Sequence, residues 1–266
     1  MTPTLYLEGP AFWAPTLPGW DVARPALRGE GPLADPPARR PSPQTLAPAE
    51  RRRAPDTVAL ALEVAAAAVA ASGREAADLP CVFASAHGDL AINDYMCSTL
   101  AATPTQLSPI KFHNSVHNAA VGYWTIGTGC MQASNSVSAF EYSFAASLLE
   151  AAAQCATDRQ AVLLVGFDAA AVGPLRQVHH SEGLLAGALV IAPARTERTV
   201  AAFDWSLAPG PAAPVALRSD AARGQPPNAM ADALPVFEAL AREDWDAPLH
   251  LPLSDRLALR FTLRRA

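Results

Sequence analysis

At 266 residues, 50% hydrophobic and only 17% charged, the chain can bury a large core as one domain or a domain plus an extension, which excludes a disordered protein. A formal net charge of -5 and a pI near 5.7 exclude the dominant basic surface of a nucleic-acid binder. Four cysteines (Cys81, Cys97, Cys130, Cys155) lack C-x-x-C spacing and no basic, apolar leader precedes Leu5, so a reduced, cytoplasmic chain is expected. The Ala-rich run Val58 to Ala71 contains Glu63 and is too short to form a stable membrane span.

Taken in order, Leu5 to Leu7 reads as a short strand and Phe12 to Trp20, punctuated by proline, as a packed loop. The aperiodic stretch up to Glu50 reads as a surface excursion able to wrap a neighbour. Asp56 is a candidate N-cap for an Ala-rich helix carrying Val58, Leu62, Val64 and Val69, which stops at Ser72-Gly73. Leu79 to Ser85 is a second strand, and helices follow from Asn93 and over Asn118 to Thr128. Cys130 to Ala133 is then expected as a short strand, with Gln132 to Ser136 as the turn into the next helix. That helix, Tyr142 to Cys155, is apolar on almost every face and is predicted to be buried on all sides.

Ala161 to Val165, closed by Gly166, is a continuous apolar run suited to a strand covered on both faces. His179-His180 reads as a solvated loop, Leu184 to Ile191 as a buried strand in which Gly187 allows close packing, and Val200 to Leu207 as an edge strand. Prolines cluster over Pro25 to Pro55 and Pro209 to Pro227, the irregular segments. Asn228 to Ala241 is helical in pattern with a kink or restart at Pro235, and Leu257 to Leu263 alternates as a last strand. The alternation of helices and strands indicates an α/β sheet with helices on both faces.

The junction before the apolar helix is where α/β folds commonly hold a nucleophile. Near it lies the one dense polar cluster, His113, Asn114, His117 and Asn118. These residues fit two roles: lining a pocket or serving as acid and base for a serine at 134 to 138, or forming a satisfied network that ties a loop to a helix or a partner. The i, i+4 histidines lack a third metal ligand. His87-Gly88-Asp89 ends a strand and either joins the same pocket or caps a turn. Arg39-Arg40 and Arg51-Arg52-Arg53 are the main positive clusters, either a solvated helix start or a surface for an acidic partner.

Leu5 to Trp20, the Arg-rich approach to the Ala helix, Val82-Phe83-Ala84-Ser85-Ala86-His87-Gly88-Asp89, Leu107 to Gly129, Phe144 to Ala151 and Val162 to Asp168 together resemble the N-terminal half of β-ketoacyl synthases, and in particular the chain-length-factor-like proteins of aryl polyene clusters. The resemblance implies an α/β, thiolase-like half: a layered ketosynthase-type sheet with a buried helix over 1–193, plus a short C-terminal extension, 194–266, packed on the same domain. In full-length relatives a cysteine at the junction takes the acyl chain and two histidines of a second half support condensation. Here the count back from Leu148 puts the nucleophile position at Ser134, Asn135 and Ser136, with no cysteine, and Cys130 lies earlier in the strand.

The resemblance therefore implies a non-catalytic subunit paired with a full-length ketosynthase, with an acyl carrier protein docking at Arg51, Arg52 and Arg53 and no cofactor. His113, Asn114, His117, Asn118, Cys130, Phe140 and Phe144 are the candidates for the acyl pocket or interface. Two alternatives stay open: a serine-dependent acyl hydrolase or acyltransferase using Ser134, Ser136 or Ser138, and a homodimeric acyl-binding scaffold.

Overall fold

The computed structural model describes residues 2–177, 179–213 and 215–266. Pro214, within the second proline cluster, lies outside the described residues. One mixed sheet runs through the chain. Its first strand, β1 (Leu5–Ala14), forms a tight hairpin with β2 (Leu17–Pro18) and leads into α1 (Trp20–Arg28). The segment predicted as a packed loop, Phe12 to Trp20, is thus mostly this hairpin, and its last residue, Trp20, starts α1. The sequence hides this because Gly9-Pro10 looks like a strand end but is a bulge. Register shifts on both sides of it, Gly9 takes φ +53, and a Cβ there would collide with the Ala68 carbonyl.

Next come α2 (Pro48–Arg53), α3 (Asp56–Ser72), β3 (Cys81–Ala84), α4 (Leu90–Ala102), α5 (Pro109–His113) and α6 (Ala119–Thr128). The second half contains β4 (Ser134–Val137), α7 (Ser143–Asp158), β5 (Val162–Asp168), β6 (Leu185–Ala192) and β7 (Thr199–Pro209), then α8 (Asp220–Arg223), α9 (Leu234–Arg242), β8 (Pro248–Ser254) and β9 (Leu257–Arg264). The sheet order is β4-β3-β5-β6-β1-β7-β9-β8. Strands β3, β4 and β5 are parallel, whereas the pairs from β5 through β8 are antiparallel. Pro235 falls in the first turn of α9, where its missing N–H costs nothing, so it restarts the helix rather than kinking it.

Two apolar layers cover the sheet. α3 and α6 pack on one face around Phe83, Trp124 and Val165. On the other face, α7, α1 and α9 share a core with β7, β8 and β9 around Phe144, Phe237 and Phe261. Gly187 leaves a flat spot that the Phe237 ring fills, because any Cβ there would strike the ring. The sheet curls so far that β8 comes back to touch α7, and residues 194–266 thereby complete the sheet and core that residues 1–193 begin.

Two expectations need correction. β7 is an interior strand between β1 and β9; its alternation records one open face, not an open edge. The true outer strand on that side is β8, whose Pro248 and Pro252 cannot donate to a ladder and suit an edge. α7 is not buried on all sides. Ala146, Leu149, Glu150, Ala153 and Gln154, spaced i, i+3, i+4, i+7, i+8, form a half-open stripe along it.

Candidate functional site

The parallel strand next to α7 begins later than the pattern predicts. Cys130 to Ala133 is an extended approach whose Cys130 Sγ lies 3.4 Å from the Leu79 carbonyl, and the ladder with β3 pairs Cys81 with Ser134 through Ala84 with Val137. Ser134, Asn135 and Ser136 therefore sit inside edge strand β4 and not on the turn. Polar, small residues at an exposed edge look like a turn in sequence, and pairing to an apolar neighbour decides otherwise. The turn itself is Ser138 to Tyr142.

At its centre stands Phe140, with φ +54, a left-handed conformation that is strained for a bulky residue. Ser143 fastens the turn: its Oγ accepts from the Ala139 N–H at 3.1 Å and donates to the Phe140 carbonyl at 2.7 Å. The Phe140 ring lies 5.3 Å from the His87 ring and 4.8 Å from the His179 ring, and the two imidazoles are 4.4 Å apart. His179 is buried against this turn, so the solvated-loop expectation fails for it, while His180 is exposed. Burial holds the pKa of both His87 and His179 below the ordinary imidazole range; for His87, the neighbouring His179 and His117 push the same way. Both Nε2 atoms are buried and unpartnered among the described residues.

Beneath the turn, two carboxylates hold the architecture. Asp168, at the end of β5, accepts from Ser85 Oγ at 2.6 Å and from the Ala86 N–H at 2.9 Å. Ser85 in turn accepts from the Gly88 N–H, and His117 Nε2 donates to the Ser85 carbonyl at 2.8 Å. Asp232 reaches in from the C-terminal extension, and one of its oxygens accepts from the Phe144 and Ala145 N–H groups at 2.9 and 3.1 Å. The open amides that start α7, the positive end of its dipole, are thus occupied by the protein's own carboxylate. Burial raises the pKa of Asp168 and of Asp232 to about 7 each, against the pull of these donors. Glu141, His179, Asn228 and Asp232 line a small cavity of about 210 Å³ at this point.

The predicted polar cluster does not converge. His117 is tied to β3 and His113 stacks edge-on to Tyr123 at 6.3 Å. Asn118 and His113 border a groove along α6, whereas Asn114 is 4% exposed and lines a different cleft. Phe144 is core. Ser138 Oγ donates to the Ala86 carbonyl, Ser136 Oγ has no partner, and among the described residues neither these two nor Ser134 hydrogen-bonds an imidazole. The serine–histidine pairing that a hydrolase needs is not assembled.

The buried thiols are equally unsuited to attack: burial raises the pKa of Cys81 and of Cys155 to about 12. Arg51 turns inward to the Leu46 carbonyl at 2.9 Å, leaving Arg52 and Arg53 exposed. Asp89 caps α4 through the Ile92 N–H at 2.8 Å. Asp168 could have been flagged as a carboxylate closing an apolar strand. Asp232 carries no local signal, because its partners lie 87 and 88 residues away.

The whole arrangement has close parallels in fold. One chain of the structure titled ketosynthase (ApeO) in complex with its chain length factor (ApeC), from Xenorhabdus doucetiae, superposes with a TM-score of 0.72 at 20% identity, covering 97% of this chain and 99% of that one. A chain of the ishigamide ketosynthase/chain length factor gives 0.73 at 14% identity, over 98% and 99%. A β-ketoacyl synthase from Burkholderia phymatum STM815 gives 0.62 at 13% identity, over 96% and 75%. The comparison with curated proteins finds no match. The family described as beta-ketoacyl synthase, N-terminal domain, matches residues 28–250, running past the Pro193 limit expected from sequence. That match, over a chain with this curled thiolase-like sheet, places it in the β-ketoacyl synthase N-terminal domain family.

Proposed function

We propose that this chain is a non-catalytic, chain-length-factor-type subunit that pairs with a cysteine-bearing ketosynthase and helps it elongate chains carried on an acyl carrier protein. The observation that carries the proposal is the turn before α7. Its strained residue is Phe140, which has no nucleophilic atom, and the amides that would polarise a thiolate are filled by Asp232. Similarity to chains from two ketosynthase/chain length factor structures supports the assignment.

The partner surface is argued from β4. Its outer edge is unpaired among the described residues, and the half-open stripe of α7 adjoins it through Asn135 Nδ2, which donates to Glu150 at 3.0 Å. Nearby, Ile126 is 84% and Met131 94% exposed. An open strand edge beside exposed apolar side chains is a surface that proteins normally cover. Arg52 and Arg53 offer the acidic carrier protein two exposed guanidinium groups. No helix among the described residues is long and apolar enough to cross a membrane.

Co-expression with a ketosynthase and a carrier protein from the same source, followed by size-exclusion chromatography, tests the pairing. A stable heterodimer is expected, and a monodisperse homodimer indifferent to the synthase would overturn it.

A further inference from the structure

A cleft of about 670 Å³ lies apart from the turn, between α4 and α5 on one side and the segment after β5 on the other. Its size falls in the range of about 300–1,000 Å³ typical of small-molecule sites. Ile92, Ile110, Ala170, Val172 and Leu184 make its walls largely apolar.

The polar groups around it are unequal in their commitments. Two acids border the cleft, and both are already engaged: Asp56 pairs with Arg40 at 3.0 Å, while Asp89 accepts from Thr57 Oγ1 and from the Ile92 N–H, each at 2.8 Å. Three cations border it as well. Arg39 and Arg53 have no carboxylate partner among the described residues, and Lys111 rests on the Tyr95 ring at 3.7 Å. Asn114 also borders the cleft; it is 4% exposed and keeps its Oδ1 without a partner.

We infer that this cleft binds a small amphiphile, an alkyl chain ending in a carboxylate or phosphate, with the anionic head at Arg39, Arg53 and Lys111 and the chain along the apolar walls. Guanidinium groups suit both heads, because each presents oxygens that a planar fork matches. The inference stands on the cleft alone and does not require a ketosynthase partner.

The test is calorimetric titration of the purified protein with decanoate, decyl phosphate, decanol and inorganic phosphate. Decanoate or decyl phosphate is expected to bind at least about tenfold tighter than decanol, and whichever of the two is tighter identifies the head. The double variant Arg39→Glu/Lys111→Glu, at two exposed positions, is expected to weaken the anionic amphiphiles at least about tenfold and leave decanol unchanged. Ala170→Trp, which fills the cleft, is expected to abolish binding of every chain. Equal binding of decanol and the anions, no effect of the charge reversals, or inorganic phosphate binding as tightly as decyl phosphate would each overturn the inference. None of these readouts depends on elongation activity, so a negative result here leaves the subunit proposal standing, and the reverse also holds.

Discussion

Ser143 and Asp232 set the conformation of the turn at Phe140, each by two hydrogen bonds. Replacing Ser143 with alanine removes both of its bonds in a buried place and should lower stability by about 1–3 kcal/mol, read as a shift in the denaturation midpoint. Asp232→Asn makes a sharper test, because the amide oxygen can still accept from Phe144 and Ala145 while the buried charge disappears. Asp232 and Asp168 hold their protons up to about pH 7, against an ordinary 3.8. Between those values the folded chain binds more protons than the unfolded one, so stability falls as pH rises. The asparagine variant should lose a large part of that slope, on the order of a few kcal/mol between roughly pH 5 and pH 8. His87 and His179 act in the opposite sense: with pKa values held below 6.5, they make the fold lose stability as pH drops beneath that point. A variant slope equal to that of the native chain would mean that Asp232 is not the buried acid described.

At the scale of elements, the apolar runs were legible and the polar edges were not. β5 and β6 are covered on both faces, and their unbroken hydrophobic sequence says so. α3 could be read from its alanines and its glycine stop. β4 could not, since Ser-Asn-Ser is turn-like until β3 pairs with it. Its register gives a direct test of the proposed interface. Cys81 and Ser85 donate to the carbonyls of Ala133 and Val137, so the odd-numbered residues of β4 face β3 and the even-numbered ones present their backbone groups outward. Ser136→Pro therefore removes an outward donor and leaves the inner ladder intact. The variant should keep its circular dichroism spectrum yet lose the partner on a sizing column. Retained association would place the interface elsewhere.

Across the whole molecule, the extension is part of the fold's completion. β7, β9 and β8 prolong the sheet, and Phe261 and Leu251 share a core with Phe144 of α7. Unfolding should accordingly show a single cooperative transition by both fluorescence and circular dichroism. Two separate transitions would divide the chain near residue 193. The sequence could not reveal this closure or the site beneath it, because Asp232, His179 and Phe140 meet only through long-range packing. What it did carry was the absence of a cysteine between Met131 and Phe144, the one local fact on which the function turns.

The most direct test of that function is an elongation assay with malonyl units on the carrier protein, run with the ketosynthase alone, this chain alone, and the two together. The proposal predicts that this chain alone yields no product and that the pair yields product whose amount or length depends on its presence. Elongation by this chain alone, or a synthase unaffected by it, would contradict the proposal.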